Sequence, residues 1–186
     1  MCIVSVSIGE FMSTIKAYHR VMDLKEQHRD PATLAVMVKA LVHGTVQNSE
    51  IIRPKLKELF ARISSKDGRD PRIWMIYAEL LSNDADQSEA MHQRVLQCLS
   101  RAHHGMCPTG WEHDNSQCKR AIMSALALVD KSIEYNISYT SARLAVKSIK
   151  AVLANLRSNQ LEEISQDIRD LLVKVDEAEV AISDKM

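Results

Sequence analysis

The chain has 186 residues, of which 46% are hydrophobic, 26% charged and only 4% aromatic, with 5 Gly and 4 Pro. That composition excludes a disordered chain, and the shortage of helix breakers favours an all-α domain. A formal net charge of +0 excludes a global pull towards nucleic acid or anionic lipid.

Residues 1–9 come first as a non-helical tail. Cys2-Ile3-Val4-Ser5-Val6-Ser7-Ile8 alternates with period two, has no basic residue ahead of it and is short for a signal-peptide core. A non-secretory chain is expected. Its four cysteines, Cys2, Cys98, Cys107 and Cys118, then point to a reducing compartment. In that setting the acceptor pattern Asn136-Ile137-Ser138 stays unglycosylated. No window approaches the ~18–20 apolar residues of a membrane span, so no membrane contact is expected.

The first helix is expected from about Glu10 to Gln27, where Phe11, Ile15, Tyr18 and Met22 recur at spacings of three and four. The second opens with Asp30 as N-cap and Pro31 in the first helical position, and runs to about Gly44. The third covers about Glu50 to Ser65 on Leu56, Leu59, Phe60 and Ile63, with Pro54 accommodated in its first turn. Lys66 to Arg69 reads as a turn. Asp70 and Pro71 then repeat the cap, and the fourth helix runs to about Ser82. After a polar linker, Asn83 to Gln87, the pair Asp86 and Glu89 predicts a capping box for the fifth helix. Met91, Val95, Leu99 and Ala102 form its buried face, and Gly105 is its expected stop. Gly105 to His113 reads as loop. Asp114 with Gln117 predicts a second capping box, opening a sixth helix that carries Cys118, Ile122, Ala125, Val129 and Ile133.

The end of the chain changes rhythm. Ala142, Ala145, Ile149, Val152 and Leu156 are spaced three and four. Leu161, Ile164, Ile168, Leu171, Val175, Ala178 and Ile182 continue that spacing, a narrow coiled-coil-like seam. Asn159 with Glu162 separates the two runs. No acid occurs from Tyr135 to Leu161, whereas the last run carries Glu162, Glu163, Asp167, Asp170, Asp176, Glu177, Glu179 and Asp184. An antiparallel hairpin with a basic and an acidic arm is expected, its stability carried by the seam and not by exposed ion pairs. The same heptad helices could instead pair two copies of the chain.

The tripeptide Arg29-Asp30-Pro31 returns forty positions later as Arg69-Asp70-Pro71, each opening a helix with its bulky residues at matching offsets. A repeat of that length built from capped helices is the mark of a stacked helical-hairpin array. Three segments follow: 1–9 as tail, 10–136 as a degenerate helical-repeat array and 137–186 as the heptad hairpin. The helix Glu10 to Gln27 would be the second half of a hairpin whose first half is missing, so a piece of a longer array is expected.

Chemical sites find little support. Cys98, His103, His104, Cys107, His113 and Cys118 lie close in sequence, yet no Cys-x-x-Cys or His-x-x-x-His pair offers zinc its converging ligands. Cys107 near His103 lacks an orienting third group, and no glycine loop exists to cradle phosphate. No catalytic, cofactor-binding or metal-ligating residue is therefore assigned, and no enzyme is expected. The basic run Arg53, Lys55, Lys57, Arg62, Lys66, Arg69 and Arg72 raises RNA binding as the alternative reading. Glu58, Asp67 and Asp70 dilute it and no stacking aromatics interleave with it. Trp74, followed four residues on by Ala78, with Ala90 in the next helix, matches the Trp–small spacing of a tetratricopeptide repeat. Arg94 stands where the next aromatic would fall, and Trp74 and Tyr77 read as core.

Several of these segments in order resemble the C-terminal region of the tetratricopeptide-repeat protein twenty-seven family. They are Tyr18-His19-Arg20-Val21-Met22-Asp23-Leu24-Lys25, Lys55-Leu56-Lys57-Glu58-Leu59-Phe60-Ala61-Arg62, Ile73-Trp74 with Tyr77-Ala78, Gln97-Cys98-Leu99-Ser100-Arg101-Ala102, and Trp111-Glu112. The likeness covers roughly residues 17–136. It implies a tetratricopeptide-like solenoid of about eight helices, a cytoplasmic or nuclear adaptor with no catalytic site. It also implies partners among the components of large ribonucleoprotein or chaperone assemblies, including spliceosomal particles. Family members carry a long upstream repeat array that this chain lacks, so a groove formed there is not expected here. The resulting expectation is a protein–protein scaffold that helps a multiprotein complex assemble, with direct nucleic-acid contact as the lesser reading.

Overall fold

A computed structural model describes residues 31–43, 49–67, 70–154 and 166–185. The tail, the helix expected from Glu10 to Gln27, the Asp30 cap, and the Asn159–Glu162 cap with Leu156, Leu161 and Ile164 lie outside the described residues. Every described element is helical. The chain divides into two compact units between Gln87 and Ser88.

The first unit holds α1 (Pro31–His43), α2 (Ser49–Asp67) and α3 (Pro71–Ser82), with α1 and α2 both packed on α3. Leu34, Met37, Val38 and Leu41 recur at helical spacing on α1 and are buried, as are Ile52, Leu56 and Phe60 of α2. Seven of the twelve residues of α3 are buried, which makes it the centre of this unit. Phe60 stacks on Tyr77 with ring centroids 5.2 Å apart and planes 5° from parallel. Trp74, Tyr77 and Ala78 are core, as read from the sequence.

The repeated cap works as expected at its second copy. Asp70 is extended (φ −82°, ψ 110°), Pro71 follows at the first helical position, and the carboxylate accepts from the Arg72 amide at 2.9 Å. Two expectations for α2 need correction. The helix begins at Ser49 and ends at Asp67, so Lys66 and Asp67 are helical and not turn. Pro54 accordingly sits inside the helix, beyond its first turn, where its missing amide hydrogen removes a backbone bond to the carbonyl four residues back.

The second unit holds α4 (Glu89–Met106), a single 3-10 turn (Trp111–His113), α5 (Asn115–Tyr135), α6 (Tyr139–Ala154) and α7 (Gln166–Ser183). Helix α5 is its axis: α4, α6, α7 and the 3-10 turn all pack on it. Two faces of α5 must therefore be buried, and its small residues Ala121, Ser124, Ala125 and Ser132 are all inside alongside Ile122, Leu128 and Val129. Small side chains let neighbouring helices approach on both sides.

Both ends of α4 differ from expectation. Its N-cap is Ser88, whose hydroxyl accepts from the Met91 amide at 3.3 Å, and not Asp86. Either residue has a capping oxygen; Ser88 wins because the Asp86 amide is already turned onto Asp84 Oδ1 at 3.0 Å. Gly105 does not stop the helix, which continues to Met106 and closes at Cys107. The left-handed glycine is Gly110 (φ 81°), which introduces the 3-10 turn and buries Trp111. Ala90, expected as a close-contact residue, is exposed.

Asp114 caps α5 by accepting from the Gln117 amide at 2.7 Å, as the sequence indicates. The helix ends in a left-handed Asn136 (φ 58°), with the Asn136 amide donating to Ile133 O and the Ile137 amide to Ser132 O at 3.2 Å each. That paired pattern is a Schellman ending, which reverses the chain directly into α6.

In α7 the heptad seam is buried within this unit: Ile168, Val175, Ala178 and Ile182 are inside and Leu171 is half-buried. It packs on α6, as a hairpin would, and also on α5. Lys119 of α5 pairs with Asp167 at the start of α7, while Lys150 of α6 reaches Asp176 at 2.7 Å and Glu179 at 2.6 Å. Helix α7 thus runs parallel to α5 and antiparallel to α6. The expected basic-to-acidic pairing exists at Lys150, which those two carboxylates hold in its charged form.

Candidate interaction surface

The His and Cys residues that crowd the sequence do not form one cluster in space. His103 is half-buried on α4, and its Nδ1 lies 2.9 Å from Ser124 Oγ on α5. Ser124 Oγ donates to Ala121 O at 2.7 Å. The hydroxyl proton is therefore committed to a carbonyl, and the serine is left to accept from an Nδ1–H. That is the reverse of what a histidine base needs from a serine nucleophile. Cys107 Sγ lies 3.9 Å from both ring nitrogens of His103, at the outer limit of a weak sulfur contact. His104 and His113 are exposed, and Cys98 and Cys118 are buried on α4 and α5.

Electrostatics agree with a packing role. Burial pushes the thiols of Cys98, Cys107 and Cys118 up to about 11, so all three stay protonated and poorly nucleophilic near neutrality. Burial pushes His103 down, keeping the ring neutral inside the α4–α5 contact. Among the described residues no three His, Cys, Asp or Glu side chains are grouped to hold a metal ion.

Much of the basic run in the first unit is engaged internally. Arg53 donates to Asn83 O at 2.6 Å and Lys57 pairs with Asp84, so two cations of α2 hold the end of α3. Burial raises the Asp84 pKa, but the hydrogen bonds from Lys57 and the Asp86 amide, with the charges of Lys57 and Arg53, outweigh it and leave Asp84 below its ordinary value. Arg72 folds back on Asp70, Nη2 to Oδ2 at 2.7 Å, and that hydrogen bond is the main cause of the lowered Asp70 pKa.

What the second unit does present is a cleft. Gln93, Leu96, Gln97, Ser100 and Arg101 on α4 face Ser138 and Ser141 at the start of α6 across a volume of about 370 Å³. Helical spacing explains the α4 wall. Gln93, Gln97, Ser100 and Arg101 fall at i, i+4, i+7 and i+8 on the exposed face, opposite buried Val95, Cys98, Leu99 and Ala102. The Schellman ending of α5 sets the other wall by bringing Ser138, itself left-handed (φ 60°), to the entry of α6. Beside it, His92 stacks on Tyr135, centroids 3.9 Å apart and planes 4° from parallel, and Lys131 Nζ sits 5.4 Å above the same ring. The acid-free run from Tyr135 to Leu161, read as the basic arm of a hairpin, includes the Ser138–Ser141 wall of this cleft.

The comparisons with known proteins fit a helical-repeat identity. The chain is 22% identical over 212 aligned residues to tetratricopeptide repeat-containing protein trd-1 of Caenorhabditis elegans, covering 99% of this chain and 27% of that protein. It is 23% identical over 191 residues to the tetratricopeptide repeat protein 27 homolog of Dictyostelium discoideum, covering 97% of this chain and 21% of the relative. The chain thus spans between a fifth and about a quarter of the length of the curated relatives it matches. No family model matches, and no solved structure matches.

Proposed function

We propose that this chain, helical in every described element and similar along nearly its whole length to two tetratricopeptide repeat proteins, is a non-catalytic scaffold. It binds other proteins through helix surfaces and so helps a multiprotein complex assemble. The observation that carries this reading is the α4–α6 cleft. It is an open surface lined by Leu96, five neutral hydrogen-bonding side chains and one guanidinium, while of the groups that could do chemistry Cys98 and Cys118 are buried and His103 and Cys107 half-buried against neighbouring helices. Recognition by shape and hydrogen bonding is what such a surface can supply. The proposal includes a cytoplasmic or nuclear location and partners drawn from large ribonucleoprotein or chaperone assemblies, by way of the family likeness. No helix among the described residues is long and apolar enough to cross a membrane.

Proximity labelling in cells tests the scaffold reading. The chain and a full-length relative should enrich overlapping sets of proteins, and two sets with nothing in common would sink it. RNA binding is the competing outcome, and salt separates the two. An RNA complex loosens steeply as salt rises because counterions are released on binding. The internal engagement of Arg53, Lys57 and Arg72 weighs against RNA in the first unit.

A further inference from the structure

Helix α7 carries a second stripe besides the one it buries. Its inward seam is Ile168, Leu171, Val175, Ala178 and Ile182. Moved two residues along, the same three–four spacing gives Asp170, Val173, Glu177, Val180 and Asp184, all of them exposed. Two residues turn a helix by about 200°, so this stripe faces away from α5 and α6. Asp184 lies just past the last helical residue, yet its amide still donates to Val180 O at 3.0 Å, which keeps it in register.

Acid and valine alternate along this face. Val173 and Val180 are 58% and 61% exposed. Valine is a poor helix former, since its branched Cβ loses freedom against the preceding turn. Two of them aligned on the solvent side therefore gain nothing from propensity and present an apolar strip. The acids sort by face as well. Those beside the inward seam are used within the unit: Asp167 pairs with Lys119, and Asp176 and Glu179 with Lys150. Asp170 accepts from the neutral Gln166 amide at 2.9 Å, and among the described residues no base pairs with Asp170, Glu177 or Asp184. The bases of α7, Arg169 and Lys174, stand to either side of the stripe.

Spacing and charge together fix the occupant. From Asp170 to Asp184 the helix rises ~21 Å, about four turns. A three–four rhythm sustained over that length is what lets a second helix stay in contact along its own length. A second copy of α7 would set acid against acid, and a phosphate backbone or an anionic lipid surface would meet the same carboxylates.

Resting on the scaffold reading, we propose that the outward face of α7 docks a basic amphipathic helix of a partner protein. Apolar side chains of that helix lie over Val173 and Val180, and its Lys or Arg residues meet Asp170, Glu177 and Asp184.

The test is fluorescence anisotropy on the full chain. The probe is a fluorescein-labelled helical peptide of about eighteen residues, with Leu and Lys alternating at three–four spacing on one face. Its controls are a scrambled peptide of the same composition and a peptide with Glu in place of every Lys. The basic amphipathic peptide should bind, and both controls should bind at least about tenfold more weakly. Glu177→Lys, and the double change Val173→Ser with Val180→Ser, should each weaken binding by about tenfold. Glu58→Lys makes the same change in net charge at an exposed position of the other unit, and should leave binding within about twofold. Circular dichroism melts of each variant separate lost binding from lost folding. Binding unchanged in both α7 variants would overturn the proposal. So would a scrambled peptide that binds equally well, or a loss in Glu58→Lys as large as in Glu177→Lys, since net charge alone would then explain the binding. In cells, labelling partners retained in full by the double valine variant would overturn the α7 assignment while leaving the scaffold reading standing.

Discussion

His103 is a titratable side chain that folding holds neutral, between a hydroxyl on one nitrogen and a thiol nearby. Burial lowers its pKa from the ordinary 6.5. Above about pH 6.5 the ring is neutral in both folded and unfolded chains and costs nothing. As pH falls below that value the unfolded chain takes the proton first, so stability drops until the folded-state pKa is reached. Replacing His103 with Gln keeps a donor towards Ser124 but removes the titration. We expect the variant to lose less stability than the parent between pH 7 and pH 5 in urea melts. Parallel curves would show that folding does not lower the His103 pKa. Ser124→Ala is the companion change. It removes the acceptor of a part-buried N–H and should cost about 1–3 kcal/mol, the range for an orphaned buried donor.

Helix ends and helix seams account for most of what could be read ahead of the structure. Asp70 and Asp114 were legible because a carboxylate just before an apolar periodic run has one obvious use, the orphan amides of the first turn. Ser88 was not, because Asp86 fits the same pattern and only the Asp84–Asp86 turn decides between them. Gly105 was misread because a glycine near a helix end suggests termination, while the turn that needed a glycine lay five residues on, at Gly110. The cleft was not legible as a site, since Gln97 and Ser138 meet only through the tertiary packing of α4, α5 and α6. Asn136 gives the sharpest test at this scale. Its left-handed backbone ends α5, and Tyr139 Oη donates to its side chain at 2.7 Å. Asn136→Ala should cost about 1 kcal/mol, because alanine lacks the short polar side chain whose local hydrogen bonding offsets the left-handed backbone in asparagine. Asn136→Gly should recover most of the loss, and failure of glycine to do so would put the stabilisation in the Tyr139 bond instead. Along α7 the contrast is between faces. Ile168→Ala should cost about 2–5 kcal/mol, whereas Val173→Ala, 58% exposed at the parent position, should stay within about 0.5 kcal/mol.

For the molecule as a whole, the same seam bears on how many copies associate. A heptad stripe in sequence can bury itself against its own chain or against another chain, and periodicity cannot choose between them. In the structure Ile168, Val175, Ala178 and Ile182 are buried within the second unit, against α5 and α6. A dimer through that stripe would have to pull α7 away from both helices. It would also break the Lys119–Asp167 and Lys150–Glu179 pairs to form a contact of the same kind. What α7 leaves outside is Val173 and Val180, set among four acids, Asp170, Asp176, Glu177 and Asp184, and one base, Arg169. A second copy of α7 laid on that face would bring like charges together, which penalises a symmetric pairing through it. We therefore expect light scattering to give a single-chain mass at micromolar concentration, unchanged between low and high salt. A mass that doubles only at high salt would mean that α7 repulsion had been holding two copies apart. A doubled mass at low salt, abolished by Val175→Asp without loss of helicity, would place the seam between chains and refute the internal packing.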